Sequence, residues 1–193
     1  HIDTGLRPQR VEHIAYYRGR IYLASGPYLW ATELYLYDHV DKSRNFLQFE
    51  DDITMVAPVD DGIYVGTTRN VFFLSGSFGK GMPRQRLMNA GVLPGSEVEL
   101  PVSAMTEQPE TQEGIGVMFM TTSGICKGLP GGNLVNATSG RVEFPSAISA
   151  AALYREDRGA HAHVAVTDSG GAPKSNVRIG EYVEAELVSA ADR

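Results

Sequence analysis

The chain has 193 residues, 42% of them hydrophobic and 21% charged, with 21 Gly and 10 Pro; that balance describes a folded domain rich in tight turns, not a disordered chain or a set of long helices. Its formal net charge of −6 argues against a general nucleic-acid binder, because phosphate binding needs a basic surface. The single cysteine, Cys126, excludes an intrachain disulfide, and no apolar run approaches the ~20 residues of a membrane-crossing helix.

Along the chain, residues 11–17 (VEHIAYY) alternate, with Ile14 and Tyr16 on one face. Arg18-Gly19 turns, 21–25 returns as a strand, and Gly26-Pro27 breaks it. Residues 28–37 (YLWATELYLY) are crowded with aromatics and suit one or two strands. A polar connection, 38–45, leads to the short apolar piece 46–49 and the acidic Glu50-Asp51-Asp52. Residues 54–58 and 63–67 read as a hairpin around Asp60-Asp61-Gly62, with the glycine expected at positive φ. After a turn at 68–70, residues 71–74 form a third strand. Residues 75–95, rich in Gly and Pro, are expected to be a long connection. A third hairpin pairs 116–120 with 124–127, a turn follows at 129–132, and 133–135 add a short strand. Residues 145–155 are Ala-rich, which favours helix, but their place in the pattern favours strand. Residues 163–167 alternate cleanly, and 177–188 suit an exposed edge strand.

These pieces repeat a phrase. An alternating run, a polar turn near Gly and a second alternating run recur from Val11, Ile53, Val102 and Ile148, at the roughly 40–50-residue intervals of propeller blades. The expectation is therefore one all-β domain over 1–193. Its antiparallel meanders form about four β-propeller-like blades, near 11–49, 53–77, 102–136 and 148–188, alone or as part of a larger propeller. The start at His1, without Met, fits a piece of a longer product.

Candidate chemistry is sparse. Residues 76–81 (GSFGKG) contain Gly79-Lys80, but Gly81 stands where a phosphate loop needs Ser or Thr, and Met82-Pro83 starts no helix. His161 and His163 share a strand face and could chelate a metal, with Asp157 or Asp168 as the only nearby third ligand; the plain reading is an exposed strand. Glu50–Asp52 and Asp60-Asp61 lack the spacing of a calcium loop, and turn chemistry accounts for the latter pair. Glu12, Glu33 and Glu97 offer carboxylates without a reason to choose among them. Ser25, Ser75 and Ser123 lie at strand ends without a nucleophile-elbow motif. Asn136-Ala137-Thr138 matches a glycosylation triplet. Cys126 reads as a small buried hydrophobe. No catalytic, cofactor or metal constellation is assigned, and no enzymatic activity is expected. Tyr16, Tyr17, Tyr22, Tyr28, Trp30, Tyr35 and Tyr37 read first as interblade packing and second as a docking or sugar-stacking face. The contact residues singled out are Trp30, Tyr35 and, in the 75–95 connection and its basic patch, Phe78, Lys80, Arg84 and Arg86.

The segment 61–77 (DGIYVGTTRNVFFLSGS) resembles a recurring blade segment of propeller-bearing tail hub or nozzle proteins of tailed bacteriophages. The resemblance covers 11–77 by motif and the remainder by periodicity. It implies a non-enzymatic virion subunit in a ring, located in the phage tail, with copies of itself and other virion proteins as partners and no cofactor. The 75–95 connection departs from that pattern. A carbohydrate-binding or carbohydrate-active propeller, with glycan as partner, and a cytoplasmic protein-interaction propeller are the alternatives.

Overall fold

A computed structural model describes residues 10–78, 82–106, 113–139, 147–158 and 160–168, with the backbone alone at 160 and 161. The described chain is all-β, as its alternation predicts. Sheet 1 is the meander β1 (His13–Tyr17), β2 (Arg20–Ser25), β3 (Tyr28–Ala31) and β4 (Phe46–Gln48). Sheet 2 runs β5 (Ile53–Val59), β6 (Gly62–Thr67), β7 (Val71–Ser75) and β8 (Arg84–Met88). Sheet 3 runs β9 (Val98–Pro101), β10 (Ile115–Thr121), β11 (Gly124–Leu129) and β12 (Asn133–Asn136). Sheet 4 is the ribbon β13 (Ser149–Asp157) and β14 (Ala160–Asp168). All neighbours are antiparallel. No helix among the described residues is long and apolar enough to cross a membrane.

Strands of sheets 2 and 3 point alternate side chains at two neighbouring sheets and those of sheets 1 and 4 at one, so the four sheets share three cores. Tyr22, Ala24, Leu29 and Ala31 of sheet 1 meet Ile63, Val65 and Phe72 of sheet 2. From the other face of sheet 2, Met55, Tyr64, Val71 and Phe73 meet Val117, Phe119 and Cys126 of sheet 3. Met118, Met120 and Ile125 then meet Ala150, Ala152 and Ala165 of the ribbon. Ile63-Tyr64-Val65 therefore occupies the same positions as Val117-Met118-Phe119, and the hairpin Thr67-Thr68-Arg69-Asn70 the same as Thr121-Thr122-Ser123-Gly124. β1 packs on β5, β5 on β10 and β9 on β13.

Four expectations differ from the structure. Gly62 does not take a positive φ; it lies in β6, and a Cβ there would stand 2.2 Å from Phe73 Cζ and 2.5 Å from the Leu74 carbonyl oxygen. Close packing, not turn geometry, demands the glycine. Gly62→Ala is expected to destabilise the fold by about 2 kcal/mol, the scale of an overpacked site, measured by urea unfolding. The 75–95 stretch contains β8, whose charged RQRLM pattern hides its strand character because it is an edge with little burial. The third unit begins at β9 rather than at Val102, which opens a short 3-10 turn. In 28–37 only Tyr28–Ala31 is strand; the chain then turns, with Tyr35 left-handed at φ 59°. The expected strand at 177–188 lies outside the described residues.

Candidate functional site

Two hairpin turns, at 67–70 and 121–124, lie beside one another at one end of sheets 2 and 3. In the first, Thr67 Oγ1 accepts hydrogen bonds from the Asn70 amide at 2.9 Å and the Arg69 amide at 3.4 Å. In the second, Thr121 Oγ1 accepts from the Ser123 amide at 3.2 Å and donates to the Gly124 carbonyl at 2.9 Å. The threonine side chain substitutes for turn backbone in both. The connector from β8 is stitched to each: the Val92 amide donates to Thr67 O and the Thr122 amide to Gly91 O, both at 2.9 Å. Gly91 is required here, because a Cβ would stand 2.2 Å from Thr68 O.

An open, mostly polar cleft of about 550 Å³ lies between these turns, lined by Glu50, Arg69, Asn70, Arg86, Asn89 and Thr122 among others. Arg69 donates from Nε at 2.7 Å, and from Nη2, to Asp51 Oδ1, while Asn70 Nδ2 donates to Asp51 Oδ2 at 3.2 Å. Hydrogen bonding from Arg69 holds the Asp51 carboxyl below the usual carboxylate range. Arg86 pairs with Glu50 at 3.1 Å. The Arg86–Glu50 pair is exposed and contributes little to folding, whereas the Asp51 side chain is largely covered beside the exposed Arg69. The cleft offers guanidinium and amide donors beside carboxylate acceptors, a chemistry of polar docking.

The opposite end is stapled by Asp60 and Asp61, whose role exceeds turn chemistry. Asp60 Oδ2 accepts from the Ile115 amide at 2.9 Å, and Asp61 Oδ2 from the Gly131 amide at 2.7 Å. Arg18 Nη2 reaches Asp60 O at 3.3 Å. One acidic turn therefore ties sheet 2 to sheets 1 and 3.

The structure separates the contact residues singled out above. Arg84 and Arg86 lie on exposed β8. Arg84 donates to Gln48 O at 2.7 Å and sits over the rings of Phe49 and Phe72, clasping sheet 1 to sheet 2. Trp30 is half-buried on the far face of sheet 1, against Tyr28 and Phe46, with its ring centroid 5.3 Å from that of Phe46. Tyr35 is exposed beside Gly19. Phe78 corrects the expectation: its ring is buried in the core between sheets 1 and 2, edge-on to Tyr22, because the chain after β7 folds back over that core. Lys80 lies outside the described residues. The first-repeat aromatics divide likewise: Tyr17 and Tyr22 are buried, whereas Tyr16, Tyr35 and Tyr37 are exposed.

Other candidates resolve into structural roles. His163 is not on an exposed strand; it faces sheet 3, buried, with neither ring nitrogen hydrogen-bonded, and burial lowers its pKa. Among the described residues no three metal-ligating side chains cluster. Glu33 accepts from Asn45 at 2.7 Å and pairs with Arg20. Burial raises the Glu97 carboxyl. Asn136 spans its turn, donating to Ser123 O at 2.9 Å and accepting from the Thr138 amide at 3.1 Å. Cys126 is buried, which pushes its thiol up to about 11. Sequence reasoning weighed Asp51 only for calcium and did not single out Arg69, Asn70 or Asn89; the repeated Thr-Thr turn was the available signal.

No protein-family model matches this chain, and no curated protein matches its sequence.

Proposed function

We propose that the chain is a non-enzymatic structural or assembly subunit that forms a ring by subunit contacts, with the hub or nozzle of a phage tail as its setting. The supporting observation is where the apolar surface remains. The six most exposed large hydrophobics, Tyr35 (68%), Ile14 (67%), Ile148 (65%), Leu153 (62%), Tyr16 (58%) and Leu36, lie at sheets 1 and 4, whereas Ile115 and Val135 of sheet 3 are less exposed. Large exposed apolar patches mark interaction surfaces, and the strongest exposure falls on the first and last sheets of the described residues. The phage setting rests on the resemblance of 61–77. Mass spectrometry of purified virions is expected to detect the chain, with portal and tail genes flanking its coding sequence. Its absence from particles, with unrelated neighbouring genes, overturns the setting.

The cluster of Tyr28, Trp30 and Phe46 favours carbohydrate stacking as a second reading. Under that reading Trp30→Ala abolishes signal on a glycan array, whereas no glycan signal from the parent chain rejects it.

A further inference from the structure

We propose that the outward face of sheet 1 docks the outward face of the β13–β14 ribbon of a second copy of this chain, head to tail. The inference rests on the ring-forming reading above and names its partner surface.

The argument comes from equivalent positions. In sheet 2 the face toward the preceding sheet carries Ile63, Val65 and Phe72. In sheet 3 the same face carries Val117, Phe119 and Cys126, again covered by the sheet before. Stepping back one repeat along the matched hairpins, the corresponding residues of sheet 1 are Ile21, Leu23 and Trp30. They lie on the face opposite Tyr22, Ala24, Leu29 and Ala31, which already pack on sheet 2. Register places Ile14 beside Leu23 and Leu23 beside Trp30, with Tyr16 beside Ile21 and Phe46 beside Trp30. The result is one continuous apolar face across all four strands. Among the described residues it is an intersheet face with no sheet on it, and Ile14 and Tyr16 are largely exposed.

The ribbon presents the complementary type. Ala150, Ala152 and Ala165 pack on sheet 3, which turns Ala151, Leu153, Val164 and Val166 outward. Ala151 pairs with Val166 and Leu153 with Val164, giving a strip of small aliphatics. Within the chain, the sheet 1–sheet 2 interface sets small Ala15, Ala24 and Ala31 among large Ile63 and Phe72. A ribbon of Ala, Val and Leu against Trp30, Tyr16 and Leu23 repeats that match. The new contact thus continues the intersheet series in the same sense, with each sheet's following face meeting the next sheet's preceding face. Such a contact is heterologous, the kind that builds a ring where its rotation closes.

Sedimentation of the 193-residue chain tests this. The parent chain is expected to associate with rising concentration up to about 100 µM, a range that captures weak specific contacts. Leu23→Glu, or Ile14→Glu as an independent variant on the same face, blocks sheet 1; Leu153→Glu blocks the ribbon. With circular dichroism unchanged, each variant alone should be monomeric. A mixture of Leu23→Glu with Leu153→Glu should form a 1:1 complex, because one intact face of each type remains. A parent chain monomeric throughout, association of Leu153→Glu equal to the parent's, or a mixture that stays monomeric overturns the proposal. Detection of the chain in virions despite such a result would leave the assembly reading standing, whereas the 1:1 complex without virion association would reject the phage setting alone.

Discussion

Tyr64→Ala should cost about 4 kcal/mol of unfolding free energy, the range for an aromatic truncated in a packed core. The Tyr64 ring is fully buried, with its centroid 5.0 Å from that of Phe73 and 6.3 Å from that of Phe119. It joins sheets 2 and 3, since Phe73 belongs to β7 and Phe119 to β10. Sheet 3 leaves room for it: a Cβ on Gly128 would approach Tyr64 Cε2 to 2.9 Å. The hydroxyl adds a polar anchor, donating to Leu129 O at 2.6 Å and lying 3.2 Å from Asn133 O. Burial raises the Tyr64 pKa above its ordinary value, so the hydroxyl is a donor at neutral pH. Tyr64→Phe, which keeps the ring and leaves those carbonyls without this donor, is expected to cost about 1–2 kcal/mol. Urea unfolding of both variants separates packing from hydrogen bonding. A loss below about 1 kcal/mol for Tyr64→Ala would mean that the sheet 2–sheet 3 junction does not carry the fold.

Tyr64 also shows why parts of the fold were readable from sequence. It belongs to a short continuous apolar run, GIYVGT, that follows an acidic turn, and such runs mark strands buried on two faces. The same signal marks β2, β5, β7, β10 and β11. It fails for β8 and β9, whose exposed or short segments have no hydrophobic period to display. It fails at Phe78 for another reason: nothing local says that a Gly-rich stretch folds back over a core built 50 residues earlier around Tyr22. The cleft was legible only in part. Thr67 and Thr121 repeat visibly, but Asp51 meets Arg69 where the antiparallel register of β5 and β6 runs on past Ile53 and Thr67, and residue types alone do not show how far a register runs. The outward face of sheet 1 was hidden because alternation reports that Ile21 and Leu23 share a side without reporting whether another of the described sheets covers it.

The pH dependence of stability is expected to carry two opposed limbs, and their residues can be separated. His163 sits buried in β14 opposite Tyr154, with both ring nitrogens unpartnered, and burial lowers its pKa. The unfolded imidazole takes a proton near its ordinary value of about 6.5, where the folded one resists. The unfolded state then binds more protons, so the His163 contribution is complete above that value and is lost as pH falls below it. Glu97 has the reverse sign. Its Oε2 is buried without a partner, and burial raises its carboxyl pKa despite backbone hydrogen bonding and the charge of His13. The folded state holds that proton more tightly, so its contribution is complete at acid pH and lost as pH rises through the folded pKa. Thermal unfolding from pH 4 to 8 is therefore expected to show a steeper acid limb in the parent than in His163→Leu. Glu97→Gln, which substitutes a neutral group for the buried charge, should stabilise by about 1 kcal/mol at pH 7 and by nothing near pH 4. An acid limb unchanged by His163→Leu would mean that the ring finds solvent in the folded state. A Glu97→Gln effect that is constant with pH would assign the gain to packing rather than to the carboxyl's proton.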